Sequence, residues 1–152
     1  MNKNRLLVLA GALDEQHNKE PHQFDYGYWR HKVDYGCGAT YCAFGLAASL
    51  PEFNKEGLHF NSPIERFLVN IIVLDGFTPD TNGVGFHIIN QIVASKFFEI
   101  TLDEVRLLFI PGSVLKSETT GKEVARLLRY FVENGSVQGF KSVDGCENYC
   151  EE

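Results

Sequence analysis

Two cysteines that stand five positions apart, Cys37 and Cys42, are the first candidates for chemistry in this sequence. They occupy a stretch of small residues, G-C-G-A-T-Y-C-A-F-G, over positions 36–45. The small and apolar residues that follow predict a buried helix over residues 39–50, which Pro51 closes. Cys37 would then lie just before the amino end of a helix, where the helix dipole and the free amide groups stabilise a thiolate.

A thiolate nucleophile also requires a general base, and two histidines are candidates for that role, His31 and His87. The histidines do not fall in a known cysteine-hydrolase signature. The sequence therefore favours a simpler interpretation, in which Gly36 and Gly38 form a tight turn and both cysteines pack as small apolar side chains. A hydrolase or transferase that uses Cys37 with His31 or His87 is the alternative.

A zinc site is the other role that cysteines in this pattern could have. Four residues separate Cys37 from Cys42, and three separate Cys146 from Cys150. Paired zinc ligands are usually separated by roughly two to four residues. The second pair lies in a polar segment, where free and exposed thiols are expected. We therefore expect neither a metal nor a cofactor, with zinc on these four cysteines as a minor alternative.

The segment N-G-V-G-F-H over residues 82–87 precedes a strong apolar stripe of helical period. Glycines before a helix let backbone amides approach an anion, and a histidine could add a donor. Asn82, Gly83, Gly85 and His87 are therefore candidates for binding the phosphate of a nucleotide-like ligand. No G-K-(S/T) follows, so an ordinary Asn-Gly turn is the simpler alternative.

Aromatic residues are dense just before the first cysteine pair. Tyrosine and tryptophan carry a polar group on an apolar ring and often line binding surfaces. Tyr26, Tyr28 and Tyr35 are therefore candidates for ligand contact. Phe24 and Trp29 are expected to cover a neighbouring helix.

The elements that would position these residues are mostly helices. Thr101 and Thr120 each precede an apolar stripe and have Glu three positions on, which is the pattern of a capping box. The predicted helices cover residues 3–15, 39–50, 86–98 and 102–109, and a last helix runs from Thr120 to a stop at Asn134-Gly135. Residues 16–23 are expected to be a loop. Residues 67–75 form a buried strand or, as the alternative, part of a helix that begins at Pro63.

The predicted fold class is α+β, a helix-dominated single domain with one short β-sheet or hairpin. A chain of 152 residues can bury a core without disulfides. Residues 1–135 are expected to form the globular domain, and residues 136–152 a polar C-terminal tail.

The charge distribution excludes nucleic acid as a partner. The net charge is −6, and no basic patch is visible that could neutralise phosphates. Residues 86–109 have the outline of a helix-turn-helix, but the second helix, L-D-E-V-R-L-L-F, carries one basic residue, Arg106, and two acids. The longest apolar run, residues 67–74, is too short to span a bilayer. We therefore expect a cytoplasmic protein without a membrane partner.

Three segments form a recognisable set in this order along the chain. They are G-C-G-A-T-Y-C-A-F-G-L-A-A-S-L-P-E-F (36–53), V-A-S-K-F-F-E-I-T-L-D-E-V-R-L-L-F-I-P (93–111) and T-T-G-K-E-V-A-R-L-L-R-Y-F-V (119–132). Together they resemble a family of small, largely uncharacterised phage and bacterial proteins. Its members carry a C-G-T-x-x-C-A-x-G turn, an A-x-x-F-F-G-L-(S/T)-x-x-E-A-x-x-L-F-x-P block and a closing V-A-x-x-I-R helix. Here Ala39 stands where Thr is usual and Glu99 where Gly is usual.

The resemblance implies a phage or bacterial cytosolic setting and no particular reaction. With the small size and the aromatic segment, it leads us to expect a binding protein that is not an enzyme. More specifically, we expect an anti-defence inhibitor in the host cytoplasm, which binds a host defence protein or sequesters a small nucleotide-like ligand. The sequence leaves open whether the protein forms a homo-oligomer.

Overall fold

The computed structural model describes residues 1–19, 31–32, 39–40, 42–61, 72–80, 82–83, 86–110, 112, 114–116 and 119–143. The elements in these ranges are α1 (Lys3–Lys19), β1 (His31–Lys32), β2 (Ala39–Thr40), α2 (Ala43–Ser49), α3 (Pro51–Lys55), β3 (Leu58–Phe60), β4 (Ile72–Leu74), α4 (Phe86–Phe98), α5 (Leu102–Phe109) and α6 (Gly121–Asn134). The predicted α+β class with a majority of helix is confirmed, and the described strands form two antiparallel pairs. In these same ranges no helix has both the length and the apolar character needed to cross a membrane.

Helix α1 begins where the sequence predicts and continues four residues beyond residue 15. The prediction of a loop from residue 16 is therefore wrong as far as Lys19. Lys19 donates to the carboxylate of Glu15 one turn earlier, and its positive charge favours the carboxyl end of a helix. Helix α1 packs mainly on α6, where Asp14 and Arg129 form an ion pair at 2.6 Å. The buried residues of α1 are Leu6, Leu9, Ala10 and Leu13.

Helix α2 begins at Ala43, four residues later than the sequence predicts. Residues 39–40 belong instead to β2, which pairs antiparallel with β1. Cys42 is the N-cap of α2, and its Sγ accepts a hydrogen bond from the Gly45 N–H at 3.3 Å. An acceptor at this position satisfies an amide that has no partner within the helix. Because Cys42 is only 2% exposed, this cap lies inside the core.

Strands β3 and β4 pair antiparallel, with His59 opposite Val73. This confirms a strand in the described part of residues 67–75. The Ile72 N–H donates to Oδ1 of Asn90, a fully buried residue of α4, at 2.9 Å. This bond joins α4 to the sheet, and a buried amide without a partner would cost about 1–3 kcal/mol.

Helices α4, α5 and α6 lie where the sequence predicts them. Thr101 and Glu104 form a capping box at the start of α5, with hydrogen bonds of 3.2 and 2.8 Å. Thr120 caps α6 by accepting from the Glu123 amide at 3.3 Å. Gly135 ends α6 in the left-handed conformation, with φ of 68°.

Five phenylalanines form the centre of the core between α2, α3, α4 and α5. The rings of Phe98 and Phe109 stack with their centroids 5.4 Å apart. Phe53 meets Phe97 edge to face at 4.9 Å, and Phe44 meets Phe98 at 6.1 Å. These edge and offset geometries are the favoured ones for aromatic pairs, so the rings fix how the four helices pack.

The chain returns along α6 after this helix ends, as far as Val143. The Val143 N–H donates to Oε1 of Glu123 at 2.8 Å, and Arg126 donates to both oxygens of the same carboxylate at 2.8 and 2.6 Å. Phe140 packs edge to face on Tyr130, with centroids 5.5 Å apart. Glu123 is 3% exposed, and a buried carboxylate is tolerated because these donors replace water.

The buried cap of α2 gives a first testable prediction. Replacement of Cys42 by Ala leaves the Gly45 N–H buried without an acceptor, so we expect the free energy of unfolding to fall by about 1–2 kcal/mol. Cys42→Ser retains an acceptor at the N-cap, so its free energy of unfolding should fall less than that of Cys42→Ala. Urea denaturation of the three proteins measures both differences. Equal stability of the Ala and Ser variants would contradict the capping role.

Candidate functional site

A groove of about 880 Å³ lies where the amino end of α1 and the carboxyl end of α4 meet the start of α5 and the end of β4. Ligand sites in proteins commonly measure roughly 300–1,000 Å³, so the groove is large enough for a ligand or a peptide segment. Helices form most of its walls, which makes its shape well defined. The charged side chains that line it are Arg5, Glu56, Asp75, Lys96, Glu99 and Glu104.

Arg5, in the first turns of α1, joins three parts of the molecule at the base of this groove. Its Nη1 donates to the Phe97 carbonyl near the end of α4 at 2.6 Å. Its Nε donates to Oε2 of Glu56, just after α3, at 2.6 Å. The guanidinium also lies over the Phe97 ring, 4.2 Å from the centroid. The last carbonyls of a helix lack partners and form the negative end of its dipole, so a cation in this place stabilises α4.

The groove has an acidic excess. Four acidic side chains line it against two basic ones, so acidic side chains outnumber basic side chains by two. Three of the carboxylates already bind within the protein: Glu56 binds Arg5, Glu104 binds the Thr101 amide and Asp75 binds His59. Glu99 is exposed at the end of α4. It is therefore the carboxylate of this set that is best placed to meet a partner.

Glu99 also has an uncommon backbone conformation, with φ of 54°. It follows the last residue of α4, and the next amide, that of Ile100, donates back to the Ser95 carbonyl at 3.2 Å. This is the Schellman pattern of a helix end, which usually has glycine in the left-handed position. The position is also the one at which the resembling family has glycine. Glutamate there carries steric strain that glycine would not have.

His59 on β3 contacts the groove through Asp75. Its Nε2 lies 2.9 Å from Oδ1 of Asp75, and its Nδ1 lies 3.0 Å from the Phe60 carbonyl oxygen. The hydrogen bond with Asp75, followed by that with the Phe60 carbonyl, raises the pKa of His59 above its ordinary value. The net charge of the His59–Asp75 pair at the edge of the groove therefore depends on the protonation of this histidine.

The cysteines that the sequence singles out are described only in part. The prediction that Cys37 directly precedes a helix is wrong, since α2 begins at Ala43 and Cys42 is its cap. The dipole effect falls off within the first helical turn. Cys42 is buried, as the simpler interpretation expects. Cys37, Cys146 and Cys150 lie outside the described residues, so the catalytic and zinc alternatives stay predictions.

Of the other predicted site residues, Asn82 and Gly83 are described with their surroundings, and neither lines the groove. The Asn82 N–H donates to Oδ1 of Asp80 at 3.1 Å, so this amide already has an anionic acceptor. Gly83 follows in the same exposed turn with φ of 74°. The backbones of His31 and His87 lie in β1 and at the start of α4. The remaining candidates, Tyr26, Tyr28, Tyr35 and Gly85, lie outside the described residues.

Sequence reasoning did not identify the groove itself. Its charged residues come from four separate parts of the chain, and Arg5 is 51 positions from Glu56 and 92 from Phe97. No local pattern links residues at such separations. The sequence marked one residue of the groove, Glu99, only as a departure from the resembling family's glycine and not as a site residue.

Searches against protein-family models, curated proteins and solved structures find no match to this chain. A function for this chain is therefore inferred from the geometry and charge of the groove and from the resemblance seen in the sequence.

The strain at Glu99 gives a second prediction. Glu99→Gly removes the clash of a side chain in the left-handed region, and we expect the free energy of unfolding to rise by about 0.5–1 kcal/mol. Glu99→Ala removes the same carboxylate but retains a Cβ, so it is the matched control and should bring no such gain. Denaturant midpoints measure the difference. If the Gly and Ala variants are equally stable, the backbone at residue 99 is not strained.

Proposed function

We propose that this protein is a non-enzymatic binding protein that presents the groove beside Arg5 to a partner protein. The observation that carries the proposal is a groove of about 880 Å³ with six charged side chains, formed at the junction of α1, α4 and α5. A site on regular elements holds its polar groups in fixed positions. Fixed polar groups favour a particular partner over others.

The charge of the groove supports a protein over a nucleotide as the partner. Four carboxylates against two basic side chains would repel the phosphates of a nucleotide-like ligand. The same excess attracts a segment that carries lysine or arginine, and complementary charge increases both the specificity and the rate of association. With a volume of about 880 Å³, the groove has room for a few residues of such a segment to contact Glu99 and neighbouring carboxylates.

The resemblance to small phage and bacterial proteins supports the choice of partner. It leads us to propose a host defence protein in the bacterial cytoplasm, which this protein inhibits by covering part of its surface. The proposed inhibition requires occupancy alone, so no covalent step is involved.

Charge reversal at Glu99 tests this function. We expect Glu99→Lys to weaken binding of the partner by about 10-fold or more, because it places a like charge against the basic segment. Glu133→Lys is the matched control, since Glu133 is an exposed residue of α6 outside the groove lining. Bound host proteins are first identified by affinity capture with the wild type. Calorimetry with the purified partner then gives the dissociation constants of the three proteins.

Two results would contradict the proposed function. One is a partner that binds wild type, Glu99→Lys and Glu133→Lys equally well, which would place the interface elsewhere. The other is a rise in melting temperature with mono-, di- or cyclic nucleotides that Glu99→Lys abolishes or enhances. That result would identify the groove as a nucleotide site.

A further inference from the structure

The two ring nitrogens of His59 both face groups that accept hydrogen bonds. Nδ1 lies 3.0 Å from the carbonyl oxygen of Phe60, and Nε2 lies 2.9 Å from Oδ1 of Asp75. A carbonyl oxygen and an ionised carboxylate cannot donate. A neutral imidazole has one N–H and can satisfy one of the two acceptors, whereas the imidazolium satisfies both. The arrangement therefore favours the protonated form of the histidine.

The backbone holds Asp75 in reach of this histidine. Its N–H donates to the Gly57 carbonyl at 2.9 Å, directly beyond the paired strands. Gly57 has φ of +94°, and a Cβ at this position would lie 3.0 Å from Cβ of Asp75. A side chain at residue 57 would displace the aspartate, so glycine permits the close approach. The carboxylate thus lies between the histidine and the groove that it lines.

Asp75 is the main charged group that acts on His59 in the described structure. The elements that pack on β3 are β4, α2 and α3. The segments A-F-G-L-A-A-S of α2 and I-V-L of β4 carry no titratable side chain. Glu52 and Lys55 of α3 do not contribute to the pKa shift of His59, and Glu56 is bound by Arg5.

We propose that His59 and Asp75 form a pH-sensitive clasp that joins β3 to the end of β4 and sets the charge of the groove. When His59 is protonated, the clasp is closed and Asp75 is neutralised by its partner. When His59 loses its proton, one of the two hydrogen bonds is lost and the negative charge of Asp75 is no longer balanced. The device does not depend on the identity of any partner, because it operates within this chain.

The direction of the pH effect follows from the raised pKa of His59. The protonated form has its partner only in the folded protein. The clasp therefore contributes its full stability below the ordinary histidine pKa of 6.5, and loses it as pH rises through the higher pKa of the folded state. Both side chains are substantially exposed, so solvent screens the pair and the effect on global stability is small. A local measurement is therefore the appropriate one.

NMR titration of the His59 ring in the full chain is the test. We expect a midpoint above 6.5 in the wild type and a lower midpoint in Asp75→Asn, which removes the charge and keeps the shape. Asp80→Asn, an exposed carboxylate beyond the end of β4, is the control and should leave the midpoint unchanged. A wild-type midpoint at or below 6.5, or the same midpoint in Asp75→Asn, would overturn the proposal.

Amide hydrogen exchange at residue 75 provides the second measurement. After correction for the intrinsic pH dependence of exchange, the protection of this amide should be lower above the His59 midpoint than below it. Asp75→Asn should show no such step. Equal protection on both sides of the midpoint in the wild type would show that the titration of His59 does not open the strand pair, and the clasp would be rejected.

Discussion

The contact of the Arg5 guanidinium with the carboxyl end of α4 is the interaction on which the groove depends. Arg5 donates to a carbonyl that has no partner within its own helix and lies over the ring of the same residue, Phe97. It also donates to Glu56, beyond α3. One side chain thereby fixes α1, α4 and the turn before β3 relative to each other. These are three of the walls of the groove, so its shape follows from the packing around this cation.

The turn that ends α4 complements this contact. The Asn2 amide donates to the Phe98 carbonyl at 2.7 Å, and the Ile100 amide donates to the Ser95 carbonyl. Two carbonyls near the end of α4 therefore accept hydrogen bonds from residues outside the helix. Glu99 adopts a left-handed conformation in this turn, and the capping box of α5 begins two residues later. Glu99, a strained residue with an exposed carboxylate, therefore lies between two well-capped helices. Strain of this kind persists only where the surrounding structure determines the backbone.

The parts of the fold that the sequence predicted well are those with local physical causes. Thr101, Thr120 and Gly135 mark helix ends through bonds within four residues, and the start of α5 and both ends of α6 followed from them. The start of α2 was misplaced because cysteine is not a usual N-cap and the strand before it has only two residues. The groove was missed because Arg5 meets residues 51 and 92 positions away. Contacts at such separations follow from tertiary packing, which no periodicity or motif encodes.

The most direct measurement of the role of Arg5 is the stability of Arg5→Lys and Arg5→Ala by denaturant unfolding. Lysine retains the charge but cannot make two parallel contacts and stack on Phe97. Because hydrogen bonds to charged groups and a cation–π contact are lost, we expect the free energy of unfolding of Arg5→Ala to fall by about 2 kcal/mol, and that of Arg5→Lys to fall by more than half as much. If Arg5→Ala stays within about 0.5 kcal/mol of the wild type, as an ordinary surface substitution does, Arg5 does not organise this part of the fold.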